Sequence, residues 1–284
     1  MFKRISELRK EYYKLAIGKE ELLKMIAEAE VPEQVYNSNA IENSTLTLEE
    51  TEKILLEMDL DRFVSERELF EAKNLARVVE YTNKIAKKRE LDLDMILFLH
   101  KMLISNIQDD IAGRFRAGNE MVRVGSHIAP PPGKIVEQLE AMLAEYNADS
   151  DVPIYRRMAK LHLKFEHTHP FIDGNGRIGR AINNYLLIRE GYVPINIRFA
   201  NRAEYYDAFR EFDKNGSVKI MEEIIGRAII NSYYKRLAYL KGKSIIKLSD
   251  YAKQNRLSHS NLLNKAKRQT IPAFRERGVW KIGV

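Results

Sequence analysis

The 284-residue sequence predicts a mainly α-helical fold, and three observations carry that expectation. Apolar residues recur at three- and four-residue spacing along most of the chain, which places one apolar stripe on a helix. Helix-start signals stand where several of these stripes begin. Breaks in the pattern are confined to residues 113–133 and to the C-terminal stretch 244–284. With 45% apolar residues the chain can bury a sizeable core, as one large domain or two unequal ones.

Residues 1–30, MFKRISELRKEYYKLAIGKEELLKMIAEAE, alternate charge with apolar residues at helical spacing and lack the uninterrupted apolar core of a signal peptide. Thr47-Leu48-Glu49-Glu50 is a capping box, in which the Thr47 hydroxyl and the Glu50 carboxylate each satisfy the other's backbone amide; it opens a helix to about Met58. Helical spacing continues over 66–89, 94–107 and 154–167, and Val136, Leu139, Met142, Leu143 and Tyr146 mark another stripe. From about Asn175 the run RIGRAINNYLLI places Ile178, Ile182, Tyr185, Leu186 and Leu187 on a helix. One long helix runs from Ile220 to about Leu240 and ends at Lys241-Gly242-Lys243, a hinge candidate.

The tail reads differently. Ser249 can cap a helix over Asp250–Asn255, Ser258 or Ser260 a second to about Arg268, and 271–282 a short hairpin anchored by Trp280. Two short helices followed by a hairpin resemble a winged helix-turn-helix. In that fold His259, Ser260, Asn261, Asn264, Lys265 and Lys267 would face a DNA groove, with Arg275 and Arg277 on phosphates. Residues 244–284 carry nine Lys or Arg against Asp250 and Glu276, a net of +7 that equals the whole chain's net charge. DNA is therefore one expected partner of this module, and docking of a protein target or packing of a dimer the other reading. Without cysteine the chain has no disulfides or thiolate chemistry, and no apolar window spans a membrane. A cytoplasmic protein is expected.

The densest chemistry lies between His169 and Arg180, HPFIDGNGRIGR. Gly174 and Gly176 flank Asn175, so the backbone can turn its N–H groups onto an anion at the start of the following helix. Arg177 and Arg180, three apart, share a helix face and can clamp neighbouring phosphate oxygens. Asp173 can hold Mg²⁺, His169 can take a proton from an attacking hydroxyl, and Phe171 plugs the core. A zinc reading of His162, Glu166, His167 and His169 competes weakly, because the order H-x-x-x-E-H has one residue too many for the helical metalloprotease signatures.

These residues resemble the Fic motif, H-x-F-x-[D/E]-G-N-G-R-x-x-R, at every position. About residues 30–235 follow that family's pattern. Residues 113–116, Met121 to Gly125 and 127–132 resemble its flap, a β-hairpin over the active site that pairs with an extended target segment; Val122, Val124, His127 and Ile128 would contact the target. Residues 202–206 resemble the helix lining the adenine pocket, which assigns Tyr205 and Tyr206 to the nucleotide. The resemblance implies a Fic helical bundle that moves AMP from ATP to a Ser, Thr or Tyr hydroxyl of a protein, itself included, with His169 as general base. Asp173 would hold Mg²⁺, Gly174, Asn175 and Gly176 would form the anion hole, and Arg177 and Arg180 would bind the outer phosphates. Ser38 to Asn43 resembles the family's inhibitory motif, [S/T]-x-x-x-E-[G/N], which implies that Glu42 pairs with Arg180 and displaces the γ-phosphate. A homodimer is expected. So is a division into 1–60 with the inhibitory motif, a 61–243 catalytic core and the 244–284 module. Two other functions stay open: a DNA-bound regulator using the core as a nucleotide sensor, and an enzyme that removes AMP with Glu42 positioning water. A sensor would not need His169 as a base, which favours the transferase.

Overall fold

The computed structural model describes residues 1–124 and 127–284; Gly125, read above as part of the flap, lies outside the described residues. The helices run in chain order α1 (Phe2–Ala16), α2 (Glu20–Ile41), α3 (Leu48–Leu55), α4 (Glu66–Ile85) and α5 (Leu93–Ile104). A two-stranded hairpin follows, β1 (Arg123–Val124) and β2 (His127–Ile128), then α6 (Ile135–Ala148), α7 (Ile154–Thr168), α8 (Asn175–Arg189), α9 (Arg202–Asn215) and α10 (Lys219–Leu240). The chain closes with β3 (Ile245–Lys247), α11 (Leu248–Gln254), α12 (His259–Lys267), β4 (Ala273–Glu276) and β5 (Val279–Gly283). The fold is mainly α, as the periodicity predicts.

Contacts divide the chain into two compact units. The larger comprises Val31–Tyr192 and Ile197–Ile225. Its centre is α8, which packs against α4, α5 and α7 and buries Ile178, Ile182, Tyr185, Leu186 and Leu187. Caps fix where the surrounding helices start. Thr47 and Glu50 make both halves of the predicted capping box, Ser65 accepts from the Glu68 amide to start α4, and Asp92 from that of Met95 to start α5. In α6 the expected stripe holds at Leu139, Met142 and Tyr146, with Leu143 half-buried, but at its start Ile135 is the buried residue and Val136 is 46% exposed.

The smaller unit comprises Met1–Glu30, Val193–Asn196 and Gly226–Val284. These contact units follow packing, so they cut across boundaries drawn from motifs at 60 and 243. Within the smaller unit, Leu248, Ala252, Leu262, Ala266, Ala273 and Ile282 form one apolar cluster, and Trp280 packs on it partly buried. The sheet order is β3-β5-β4, all antiparallel. Its first strand, only three residues long, has no periodic signal in the sequence. Lys235 of α10 bridges Glu30 and Glu276, and Arg236 grips Glu30 as well, so the tail is pinned by buried ion pairs. Lys241-Gly242-Lys243, the hinge candidate, is a helix-ending turn with Gly242 at φ +64° and the Lys243 amide donating back to Ala238. Ser258 caps α12 through the Asn261 amide, whereas Ser249 does not cap α11: that helix starts earlier, after Lys247, and Ser249 bonds Asp250 instead.

Candidate active site

The site is assembled on the turn between α7 and α8, inside the larger unit. His169 follows the last residue of α7 in a left-handed conformation, φ +46° and ψ +62°. A side chain there carries steric strain, and it persists because the turn is fastened on all sides. The His169 amide donates to the Phe165 carbonyl, and its own carbonyl accepts from Arg116 Nε at 2.8 Å. Asn175 closes the loop with both ends of its amide, Oδ1 accepting from the Phe171 amide and Nδ2 donating to the Phe171 carbonyl. Its side chain is thus committed to scaffolding the loop. Phe171 is fully buried, stacked 3.7 Å from the His100 ring.

The tautomer of His169 follows from its partner. Nδ1 lies 3.3 Å from the Glu166 carbonyl, which can only accept, so Nδ1 carries the proton and Nε2 keeps its lone pair. Burial, with the Arg116 guanidinium nearby, pushes the pKa down to about 4, which keeps the ring neutral near pH 7. The imidazole is therefore in the state a general base requires.

Gly174, at φ +83°, precedes α8, and the first N–H groups of that helix have no intrahelical partner. A Cβ added to Gly174 would lie 3.0 Å from Leu103 and 3.2 Å from Ile104, so the turn has neither the space nor the backbone angle for another residue. Asp173 beside it accepts from Arg177 at 2.9 Å, Arg67 at 2.5 Å and the Gly174 amide at 2.6 Å. Burial would raise its pKa, but these partners hold the carboxyl below its ordinary value. His100 fixes the loop from behind. Its Nδ1 accepts from the Gly113 amide, so Nε2 donates to the Asp173 carbonyl at 3.0 Å, and burial drops its pKa to about 4.

Arg177 and Arg180 are both buried but hold different partners. Arg177 binds Asp173 and Glu71, each within about 3 Å. Arg180 is held by the end of α2: Nε donates to Ser38 Oγ at 2.9 Å, and Nη2 to the Ser38 carbonyl and Glu42 Oε1, both at 2.8 Å. Nη1 reaches the Tyr205 hydroxyl at 3.2 Å. Glu42 follows the last residue of α2, four residues after Ser38, and both reach the same guanidinium. The Glu42 carboxylate also rests on the glycine loop, since a Cβ at Gly176 would lie 2.1 Å from Glu42 Oε1.

A cavity of about 310 Å³ opens beside these groups, lined by Glu42, Glu166, His169, Gly176, Tyr205 and Tyr206 among others. Tyr205 is fully buried; Tyr206 donates to the Ile41 carbonyl at 3.2 Å. Of the four expected flap contacts, Val124 and His127 line the cavity. Ile128 is 63% exposed, and the Val122 carbonyl accepts from the Ala129 amide in the hairpin. β1 and β2 pair antiparallel, Arg123 opposite Ile128 and Val124 opposite His127. Arg116 anchors this hairpin at both ends, donating to the carbonyls of Glu120 and Pro130 as well as those of Thr168 and His169.

The competing zinc set does not converge. His162 is fully buried with Nε2 2.7 Å from the Tyr205 hydroxyl, and desolvation drops its pKa to about 3. Glu166 faces Arg180 and Glu42 with one oxygen buried and unpartnered, and burial raises its pKa to about 8. Sequence reasoning gave Glu166 only the zinc reading and missed Arg67 and Glu71. The last two lie about a hundred residues from the loop they serve, with no local signal.

A buried imidazole on a strained turn, a carboxylate and a glycine loop opening a buried helix thus come together in one site. This chain matches the family model of the Fic/DOC family over residues 90–187. It is 29% identical over 232 residues to the protein adenylyltransferase Fic of Nematostella vectensis, covering 80% of this chain and 53% of that one. With the protein of the same name from Drosophila grimshawi it shares 34% identity over 194 residues, 66% of this chain and 39% of that one. The chain thus spans about half or less of the curated relatives it matches. Solved structures agree in fold: a Fic-domain signaling protein from Bacteroides thetaiotaomicron superposes with TM-score 0.75 at 24% identity, over 85% of this chain and 98% of that one. Fic-1 from C. elegans gives 0.72 at 25% identity, over 85% of this chain and 72% of that one.

Proposed function

We propose that this protein is an adenylyltransferase that moves AMP from ATP to a Ser, Thr or Tyr hydroxyl of a target protein or of itself, and that Glu42 restrains it. The observation that carries the reading is the placement of His169: Nδ1 faces the Glu166 carbonyl, which leaves Nε2 as the acceptor, and the residue lines the same cavity as Gly176 of the glycine loop. In the reaction the target hydroxyl oxygen attacks the α-phosphorus, the α–β bridging bond breaks, and pyrophosphate leaves. The hydroxyl proton passes to His169 Nε2. Amides at the start of α8 and the two arginines neutralise the phosphates, which is most of what such a transfer asks of a protein. Tyr205 and Tyr206 flank the nucleotide.

The donor set suits Mg²⁺: Asp173 offers a hard carboxylate oxygen at the phosphate loop, and one carboxylate plus substrate phosphates is the usual magnesium arrangement. When bound, the ion would offset charge on the phosphates, with Arg67 and Arg177 giving up the carboxylate they now share. Glu42 blocks this state by holding the guanidinium that should meet the γ-phosphate, so ATP lies out of register for attack.

The test is transfer from α-labelled ATP with Mg²⁺, followed by mass spectrometry of labelled protein. In a Glu42→Gly background, label should appear on protein, and adding His169→Ala should abolish it while ATP still binds. Undiminished transfer without His169 would sink the mechanism.

A second reading concerns the tail. A strand, two helices and a hairpin in the order β3-α11-α12-β4-β5 resemble a winged helix, and the polar and basic residues of α12 from His259 to Lys267 are exposed while Leu262 and Ala266 point into its core. This supports DNA binding by 244–284 as an accessory of a cytoplasmic, homodimeric enzyme. Affinity of the full chain for duplex DNA should then fall by roughly 0.9 log unit per log unit of salt for each phosphate contacted. Binding that ignores salt would favour protein docking.

A further inference from the structure

We propose that His127, His167 and Asp213 form a transition-metal site that ties the flap to helices α7 and α9. One ligand atom from each of the three residues lies within 4.8 Å of the others, and all three residues line the cavity that holds His169. The rings of His127 and His167 stand 4.0 Å apart. His127 Nε2 is 2.8 Å from the His167 carbonyl, an oxygen that only accepts, so Nε2 bears the proton and Nδ1 keeps its lone pair. A ring N–H held by a backbone carbonyl is the arrangement that orients metal-binding histidines. His167 Nδ1 is 3.0 Å from Asp213 Oδ1, so an imidazole and a carboxylate already meet there.

A second observation is independent of the side chains' mutual contacts. His167 lies in the last turn of α7 and Asp213 in the last turn of α9, so the negative ends of two helix dipoles reinforce a cation at this place. Two imidazoles and one carboxylate select Zn²⁺ or a similar borderline divalent ion over Mg²⁺, and three protein ligands leave a position for water. Because His127 belongs to β2, the bound ion pins the flap across the cavity and withdraws it from an incoming target segment. The site stands apart from AMP transfer; only its effect on rate rests on that reading.

The experiment titrates the full-length protein with Co²⁺ and follows its visible d–d absorption, then displaces it with Zn²⁺. One Co²⁺ per chain is expected, with affinity roughly tenfold or more weaker in His127→Ala and in Asp213→Asn, and unchanged in Asp173→Asn. No stoichiometric Co²⁺, or binding that survives both ligand substitutions, overturns the site. In the Glu42→Gly background with excess Mg²⁺, Zn²⁺ should slow label transfer relative to each protein's own zinc-free rate, and Asp213→Asn should resist it. Co²⁺ binding without any slowing overturns the flap tether. A background that transfers no label at all, with Co²⁺ still bound, indicts the transferase reading and leaves the metal site standing.

Discussion

Arg177 and Arg180 sit one turn apart on the same buried face of α8, yet they are restrained by different parts of the chain. Arg177 is held by Asp173 and Glu71, groups that belong to the phosphate loop and its supporting helix. Arg180 is held by Ser38 and Glu42 at the end of α2, about 140 residues away in sequence. In the proposed reaction the first arrangement orients a phosphate-binding cation and the second occupies one. Identical side chains at equivalent depth can therefore serve assembly in one case and restraint in the other, according to whether their partners come from the loop and its supporting helix or from a segment outside them.

The largest effect should come from breaking the Arg180 side alone. Glu42→Gly removes a charge-assisted hydrogen bond worth about 1.5–3 kcal/mol, so label transfer should rise roughly ten- to a hundredfold. Glu71→Gln, the matching change on the Arg177 side, should not activate, and Arg180→Ala should stay inactive even with Glu42→Gly because the clamp itself is gone. Equal rates for Glu42→Gly and wild type would erase the distinction.

A smaller effect is expected from Ser38→Ala. It deletes the hydroxyl acceptor for Arg180 Nε and leaves the backbone carbonyl bond, so activation of roughly two- to tenfold should follow from a loss of about 0.5–1.5 kcal/mol. Activation equal to that of Glu42→Gly would mean that the serine, rather than the carboxylate, holds the arginine.

The smallest effect concerns Glu166, the second carboxyl facing Arg180. Burial raises its folded pKa to about 8, above the unfolded value near 4.5, so the folded state binds the extra proton between those limits. Stability should fall as pH rises through that window and level off above it. Glu166→Gln should flatten the curve of Tm against pH, and an unchanged slope would show that Glu166 is ionised in the fold.

The contiguous part of the site was legible because His169 to Arg180 compresses base, carboxylate, loop and helix start into one run of chain. Helices were legible where a stripe and a cap coincide, as at Thr47 and at Ser258. Arg67 and Glu71 were not, since a charged residue on a helix surface looks the same whether it meets solvent or a distant carboxylate. Glu166 was read as a weak zinc ligand because sequence order does not reveal that α7 turns it toward Arg180. Ser249 misled for a local reason: it can cap a helix, but Leu248 is drawn into the apolar cluster and starts α11 before it.

Arg116 gives the hairpin and the His169 turn one common foundation. Four carbonyls, two at the roots of the hairpin and two at Thr168 and His169, converge on a single buried guanidinium. In the proposed reaction a target chain laid along the hairpin presents alternate side chains to the cavity at a fixed repeat. Because Arg116 ties the hairpin to the turn that carries the imidazole, only one step of that repeat would fall under Nε2. The enzyme would then choose its hydroxyl as a ruler does, by distance along a backbone, and accept whichever of Ser, Thr or Tyr occupies the mark.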